Sequence, residues 1–416
     1  MERSFEPSQV NGTVNAPASK SMTQRAIAAA LLSDGETIIR NPSYCDDSLA
    51  AMSMAAGLGA RVEPQPGELK ITGSAELKET KLNCGESGLA IRMFSPIAAL
   101  YRSEITLSGA VTLKKRPMSM IEEALNQLGA SCKTNDGFLP IKIKGPLKGG
   151  RCEIDASVSS QLLTGLLMAL PLAQSDSEIK VNNLKSQPYI DMTLDILKSF
   201  GVEVYNHGYE LFTIPGKQKF SPSTYEVEGD WSGGAFLLVA GAINGSITVK
   251  GLQYMSLQSD KQIINALDSA GARLSIMDNS ITVSSRKLNA FDFDATHSPD
   301  LFPPLVALAS YCDGISRIKG VSRLIHKESN RAETLRDEFA KMNVNINISE
   351  DSMLVTGSRP SGSRVESHDD HRIAMAVTVA SLGASGKVYL KDSQCVAKSY
   401  PDFFRDMRQL GAVVYE

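Results

Sequence analysis

Six times along this chain an amphipathic helical run ends on the same kind of signature. The six are Leu58-Gly59-Ala60, Leu128-Gly129-Ala130, Phe200-Gly201-Val202, Ala270-Gly271-Ala272, Met342-Asn343-Val344 and Leu410-Gly411-Ala412. Their central residues are 70, 72, 70, 72 and 68 positions apart. Gly, or once Asn, just past a helix is the residue type that tolerates the left-handed conformation ending it. A fixed period of this length means one supersecondary unit repeated, which constrains the architecture before any chemistry is considered.

A second, Ala- and Leu-rich helix recurs with the same period, starting near Ser21, Gly88, Ser160, Ser232, Asp300 and Asp370. It is apolar on nearly every face, so it is expected to be buried. Ser119-x-x-Glu122 and Ser259-x-x-Gln262 match capping boxes at two amphipathic helix starts. Each unit reads strand, buried helix, strand, amphipathic helix, strand, strand. The sixth unit stops at Glu416 without its last strand, which the segment Phe5 to Asn15 is expected to help supply. The fold class is therefore α/β, with two domains of three βαβαββ repeats around a helical core. Crossings are expected near Ala16 to Ser19 and near Glu226 to Asp230. Residues 1–18 with 228–416 would form one domain, and residues 19–227 the other.

The 416 residues are 42% hydrophobic and 21% charged, as expected of a globular chain with a large core. A net charge of −3 gives no global reason to expect nucleic acid. The apolar runs are too short to span a bilayer, and the N-terminal residues lack the basic start and apolar run of a secretory signal. Six scattered cysteines without a CxxC pair suggest reduced, buried thiols in a cytoplasmic protein.

The unusual polar residues gather at the starts of the buried helices, where backbone N–H groups and the helix dipole favour anions. Lys20-Ser21 and Arg25 mark the first start, Gly88 and Arg92 the second, and Ser159-Ser160-Gln161 the third. Asp300 marks the fifth and Asp369-Asp370-His371-Arg372 the sixth, while the fourth, Gly229 to Gly234, has no cation. Loops add Lys114-Lys115-Arg116-Pro117, Lys327 with Arg331, and Lys398. Lys327 and Arg331 are four apart, so one helical turn would put them on one face. Such a set suits a small substrate with several phosphate or carboxylate groups. Any one of these residues taken alone reads as a cap or a solvated charge; recurrence at helices that should be wholly buried is what points to a site. No P-loop or strand-linked G-x-G-x-x-G occurs, and no complementary His or Cys cluster supports a metal at His368 to His371.

The chain resembles the 5-enolpyruvylshikimate-3-phosphate synthase family of enolpyruvyl transferases. The resemblance runs from Ala16 to the C-terminus. Its markers are Lys20-Ser21-x-x-x-Arg25, Gly88-x-x-x-Arg92, Arg116-Pro117, Ser159-Ser160-Gln161, Ser186-x-Pro188-Tyr189, Glu228-Gly229-Asp230, Pro299-Asp300, Lys327-Glu328-x-x-Arg331, Asp370-His371-Arg372 and Ala397-Lys398-x-x-Pro401-Asp402. It implies two inside-out α/β barrel domains closing over a cleft. The reaction it implies moves the enolpyruvyl group of phosphoenolpyruvate to the 5-hydroxyl of shikimate 3-phosphate through a tetrahedral intermediate. No cofactor, metal, nucleic acid or membrane is implied, and a monomer is expected.

By the same resemblance, shikimate 3-phosphate would meet Lys20, Ser21, Arg25, Ser159, Ser160, Gln161, Ser186, Tyr189, Asp300, Arg323 and Lys327. Phosphoenolpyruvate would meet Lys20, Gly88, Arg116, Gln161, Arg331, Arg372 and Lys398. Asp300 would be the base for the hydroxyl and Glu328 the proton donor to the methylene carbon, with Lys20 sharing proton traffic. Glu86 stands where the family more often has Asn, Leu89 where it often has Thr, and Arg323 where it has a substrate-contacting Asn. Two alternatives are a UDP-N-acetylglucosamine enolpyruvyl transferase and a non-enzymatic repeat scaffold. The first needs a cysteine near Lys114 to Pro117, where this chain has none; the second leaves Asp300, Glu328 and Lys20 unexplained.

Overall fold

A computed structural model describes residues 1–416 except Ala75 and His326. Among the described residues the helices are α1 (Lys20–Leu32), α2 (Asp46–Gly57), α3 (Gly88–Ala98), α4 (Ser119–Gln127), α5 (Gln161–Ala169), α6 (Gln187–Ser199), α7 (Trp231–Asn244), α8 (Ile263–Ser269), α9 (Phe302–Ala309), α10 (Arg331–Lys341), α11 (His371–Ser381) and α12 (Phe403–Gln409). The odd-numbered helices are the buried type: every residue of α3, α9 and α11 is shielded from solvent. The even-numbered ones expose a face, and α4 buries only Ile121, Ala124 and Leu125.

The chain divides into two compact units, Met1–Pro17 with Glu228–Glu416, and Ala18–Val227. Each unit has its own apolar core, built on three odd-numbered helices and the inner faces of three four-stranded sheets. Fully burying one Leu or Phe side chain contributes ~1.5–3 kcal/mol. A helix such as α7, with Trp231, Phe236, Leu237 and Leu238 all buried, therefore anchors its neighbours strongly.

Among the described residues, all six four-stranded sheets share one topology. In the unit Ala18–Val227, one sheet runs Lys81–Asn83, Glu104–Ser108, Phe138–Lys144, Ser131–Asn135 in spatial order. The first pair is parallel and the other two antiparallel, as a strand–helix–strand crossover followed by a hairpin requires. Period-two burial fixes which face points inward: Leu139, Ile141 and Ile143 are buried while Lys142 and Lys144 are exposed.

Three repeats take a strand from distant sequence. Val10–Asn15 lies parallel to Gly245–Lys250 and opens the fourth repeat. Glu2–Glu6 inserts between Val388–Lys391 and Val413–Tyr415, filling the strand that the sixth repeat lacks. The N-terminal segment thus serves two sheets rather than one. In the other unit, Thr224–Glu226 supplies the first strand beside Glu36–Arg40.

The six helix-ending residues are all left-handed: φ is 120° at Gly59, 79° at Gly129, 75° at Gly201, 79° at Gly271, 63° at Asn343 and 105° at Gly411. The capping boxes do not form. Glu122 accepts from the Thr134 backbone N at 2.8 Å and from its hydroxyl, fastening α4 to the following hairpin instead of to its own start. Ser259 donates to Asp260 at 3.3 Å. In both places a side-chain partner outside the capping geometry displaced the local bond. No helix among the described residues is long and apolar enough to cross a membrane.

Candidate active site

In the unit Ala18–Val227 the polar residues sit at the starts of α1, α3 and α5. Ser19 caps α1, and Lys20, the first helical residue, forms an ion pair with Asp47 of α2 at 2.9 Å. Arg25, one turn on, is buried and fully extended into hydrogen bonds. Its Nε donates to Thr193 Oγ1 at 2.9 Å, Nη1 to the Ser21 carbonyl at 2.9 Å, and Nη2 to the Tyr189 carbonyl at 3.2 Å and Thr164 Oγ1 at 3.4 Å. All these acceptors are neutral. Burial lowers its pKa to about 10. A buried cation whose acceptors among the described residues are neutral oxygens is electrostatically incomplete and suits an anionic ligand. Tyr189 follows Ser186, a left-handed residue at the start of α6, whose carbonyl accepts from the Tyr189 N–H at 3.1 Å.

Gly88 opens α3 behind the capping Ser87. A Cβ there would lie 2.5 Å from Arg116 Nη1, 3.1 Å from Arg92 Nη1 and 3.5 Å from Gln161 Oε1. Three long side chains therefore converge over a residue that offers them open space. Arg92 Nη1 donates to Gln161 Oε1 at 3.0 Å, joining α3 to α5. The close packing of these helices depends on Gly165, where a Cβ would come 2.5 Å from the Arg92 carbonyl. Ser159 accepts from the Gln161 N–H at 3.2 Å, and Ser160 is the buried residue before α5. Glu86 accepts from the Thr112 backbone N at 3.4 Å and from its hydroxyl, pinning the segment that leads through the 3-10 turn Leu113–Lys115 to Arg116.

In the unit Met1–Pro17 with Glu228–Glu416 the centre is Asp300, in the 3-10 turn Pro299–Leu301 just ahead of α9. Its Oδ1 accepts from Lys327 Nζ at 3.2 Å and Arg331 Nη1 at 3.0 Å, and its Oδ2 from Arg372 Nη2 at 2.9 Å. Burial by itself raises the Asp300 pKa, but Arg372, Lys327 and Arg331 outweigh it and hold the carboxyl well below the usual range. Burial lowers the Lys327 pKa, with Asp300 opposing and Arg331 and Arg323 adding to the fall. Arg323 lies in the neighbouring turn Val321–Leu324.

Arg331 is fully buried and spans three carboxylates. Besides Asp300, it donates from Nη2 to Glu328 at 2.6 Å and from Nε to Asp370 at 2.9 Å. Burial lowers its pKa, but Asp370, Glu328 and Asp300 raise it further. Lys327 and Arg331 do meet at one acceptor, though not through a helical turn, because α10 begins only at Arg331. Asp370 also caps α11, accepting from the Arg372 N–H at 3.0 Å. Lys398 ends the 3-10 helix Ser393–Lys398 and donates to the Asp369 carbonyl at 2.7 Å. Within the His368 to His371 run, His368 pairs with Glu338 at 2.8 Å and Asp370 with Arg331.

Several partners escaped the sequence reading. Asp47, Thr164 and Thr193 come from other elements of the repeat unit, and nothing local marks them. Asp260 was hidden in a segment taken for a capping box. It is buried, accepts from the Ser232 hydroxyl, and has its pKa pushed up to about 6 by burial and by Asp300, with Arg372 opposing. Two carboxyls whose environments drive their pKa values apart are a mark of acid–base chemistry.

Comparison with known proteins agrees along the length of the chain. A family model described as EPSP synthase (3-phosphoshikimate 1-carboxyvinyltransferase) matches residues 5–407. A 3-phosphoshikimate 1-carboxyvinyltransferase of Clostridium perfringens (strain 13 / Type A) is 36% identical over 416 residues, covering 99% of this chain and 98% of the relative. One from Thermococcus kodakarensis is 38% identical over 403 residues, covering 97% and 98%. A solved EPSP synthase from Acinetobacter baumannii aligns over 100% of both chains with a TM-score of 0.84 and 25% identity.

Proposed function

This chain belongs to the EPSP synthase (3-phosphoshikimate 1-carboxyvinyltransferase) family, and from that premise we propose how its residues carry the family's reaction. The chain is a transferase of the shikimate pathway. It joins the enolpyruvyl group of phosphoenolpyruvate to shikimate 3-phosphate and releases phosphate.

The observation that carries the residue assignment is Asp300 bound by Lys327, Arg331 and Arg372 at 2.9–3.2 Å. A base and three cations share one cluster. With its three bonds in place Asp300 is a poor proton acceptor, because the ionised form is strongly favoured. We assign Arg331 and Arg372, with Lys398, to phosphoenolpyruvate. An arriving anion competes with Asp300 for those guanidinium groups and returns basicity to its carboxylate. Asp300 then takes the proton of the 5-hydroxyl as that oxygen attacks the enol carbon. A proton delivered to the methylene carbon gives the tetrahedral adduct. Loss of phosphate, with loss of a proton from that carbon, gives the enol ether. Glu328 is our donor to the methylene carbon. It now accepts from Arg331, and it gains the freedom to donate once Arg331 turns to the substrate. Lys20, paired with Asp47, is assigned a share in proton transfer.

We assign Lys20, Gly88, Arg116 and Gln161 to phosphoenolpyruvate as well. Shikimate 3-phosphate is assigned to Lys20, Ser21, Arg25, Ser159, Ser160, Gln161, Ser186, Tyr189, Asp300, Arg323 and Lys327. Arg25 supports this reading through its neutral partners, which leave its charge for a phosphate or carboxylate. Gly88→Ala is expected to raise KM for phosphoenolpyruvate about tenfold and leave KM for shikimate 3-phosphate nearly unchanged, because the added methyl displaces Arg116 Nη1. Equal KM values for wild type and variant would remove Gly88 from the site.

Steady-state phosphate release tests the function. Release is expected only when phosphoenolpyruvate and shikimate 3-phosphate are both present. Release with UDP-N-acetylglucosamine in place of shikimate 3-phosphate would sink the assignment. We also infer a monomer working in the cytoplasm. The six cysteines, all buried free thiols, support a reducing compartment. Sedimentation velocity is expected to give a single species of one chain's mass.

A further inference from the structure

Glu338 lies on α10, two turns beyond Arg331, and is only 2% exposed. Its carboxylate accepts from the Glu366 backbone N at 2.8 Å and from Lys341 Nζ at 2.8 Å on each oxygen, and pairs with His368 Nε2 at 2.8 Å. Burial raises its pKa, yet Lys341, His368 and the Glu366 N–H together hold it below the usual range. A buried carboxylate with this many donors is a rigid tie between α10 and the segment before α11.

That segment turns left-handed twice in succession, at His368 (φ 53°) and Asp369 (φ 56°). Residues with a Cβ seldom adopt this conformation and keep it only where surrounding contacts hold it. The turn has consequences on its far side. It aims the Asp369 carbonyl at Lys398 Nζ, 2.7 Å away. It also sets the Asp370 carboxylate, which takes Arg331 Nε at 2.9 Å and the Arg372 N–H at 3.0 Å. Asp369 and Asp370 therefore hold the Lys398 ammonium, the Arg331 guanidinium and the backbone N–H that opens α11 at Arg372, and Glu338 holds His368, the residue just before them.

We propose that Glu338 is a positioning residue for phosphoenolpyruvate, fixing the left-handed pair His368–Asp369 so that Lys398 and Arg372 stay aimed at the substrate. The proposal rests on the assignment of Arg372 and Lys398 made above. The carboxylate itself touches no reacting atom. It acts through the backbone of residues 366–370, and a loss of about an ångström in aim is enough to weaken a site of this kind severely.

The test is steady-state phosphate release by the whole chain, varying each substrate while the other saturates. Wild type is compared with Glu338→Gln, which keeps the volume but loses the charge, and with His368→Asn, which removes one tie and leaves Glu338 in place. KM for phosphoenolpyruvate is expected to rise about tenfold in Glu338→Gln and about threefold in His368→Asn. KM for shikimate 3-phosphate is expected to stay within error of wild type, although the melting midpoint falls with the loss of the buried charge. An unchanged KM for phosphoenolpyruvate in both variants would overturn the proposal. So would a joint movement of both KM values with the melting midpoint, which is what a merely structural tie would give. A wild-type chain that releases no phosphate overturns the functional reading beneath it, and is distinguished from the first two outcomes by the wild-type assay alone.

Discussion

Asp300→Asn is expected to lower phosphate release about a thousandfold while the chain stays folded. The substitution keeps the shape and one carbonyl acceptor but removes the carboxylate assigned as proton acceptor, and general base catalysis of this kind contributes ~10²–10⁴ in rate. Three cations now share that carboxylate. Lys327 and the two arginines therefore lose their common counterion in the variant, and mutual repulsion moves them apart. Binding of the anionic substrate partly restores the balance, so KM for phosphoenolpyruvate is expected to move far less than kcat. The comparison needs phosphate release and a circular dichroism melt on the same preparation. Turnover within a few-fold of wild type in a folded Asp300→Asn chain would remove Asp300 from its role as base.

The second large effect is on stability. Arg331→Met removes a fully buried guanidinium from between Asp300, Glu328 and Asp370, the last of which is itself fully buried. Breaking one side of a buried ionic network leaves the other side uncompensated and costs about 3–5 kcal/mol. For a unit of roughly 200 residues, such as the one that holds Arg331, that corresponds to a fall of roughly 10 °C in the midpoint of its own melting transition. Activity is expected to fall with it, since the same side chain is assigned to the substrate. The pH dependence follows from Asp300. Its folded-state pKa is depressed, so its contribution to stability is complete above the ordinary carboxylate range and is lost as pH falls through the lowered value. Removing Arg331 takes away one of the three cations responsible, so in Arg331→Met that loss is smaller and is complete at a higher pH than in wild type. Melting profiles of both chains between about pH 3 and pH 7 measure the difference. A variant that melts within 2 °C of wild type, a margin on the order of 1 kcal/mol, would show that the three carboxylates find other partners.

Much of the scaffold was legible because its signals are local. Left-handed closure of a helix is a single-residue preference, so Gly59, Gly129, Gly201, Gly271, Gly411 and Asn343 announced the repeat without any knowledge of packing. The all-round apolar character of α3, α9 and α11 likewise marked them as buried. The strand order was not legible, because which strand lies beside which depends on pairing across the repeat, and the N-terminal segment serves two sheets.

The site divides in the same way. Lys20, Arg25, Gly88, Asp300 and Arg372 stood out because charged residues, or a glycine among them, opened helices that should be dry. Their partners did not. Asp47 reaches Lys20 and Thr193 reaches Arg25 across sequence gaps of 27 and 168 residues. Lys327 and Arg331 were read as neighbours on a helix, and they converge for a different reason, since both reach Asp300 from either side of the start of α10. The capping boxes expected at Ser119 and Ser259 are absent because Glu122 accepts from Thr134 on the following hairpin and Gln262 accepts from Asn265 one turn on. A long-range hydrogen bond of good geometry outcompetes a local one of similar strength once the elements are packed, and a sequence alone shows only the local competitor.

The helix starts are assigned to the transfer of an enolpyruvyl group, as opposed to hydrolysis of phosphoenolpyruvate or anion binding alone. Following the complete reaction by proton and phosphorus nuclear magnetic resonance tests it most directly. The expected spectrum shows one enol ether appearing at the 5-oxygen of shikimate 3-phosphate for each phosphate released, with the 3-phosphate retained. Phosphate released with pyruvate and no enol ether, or an ether at another hydroxyl, would contradict it.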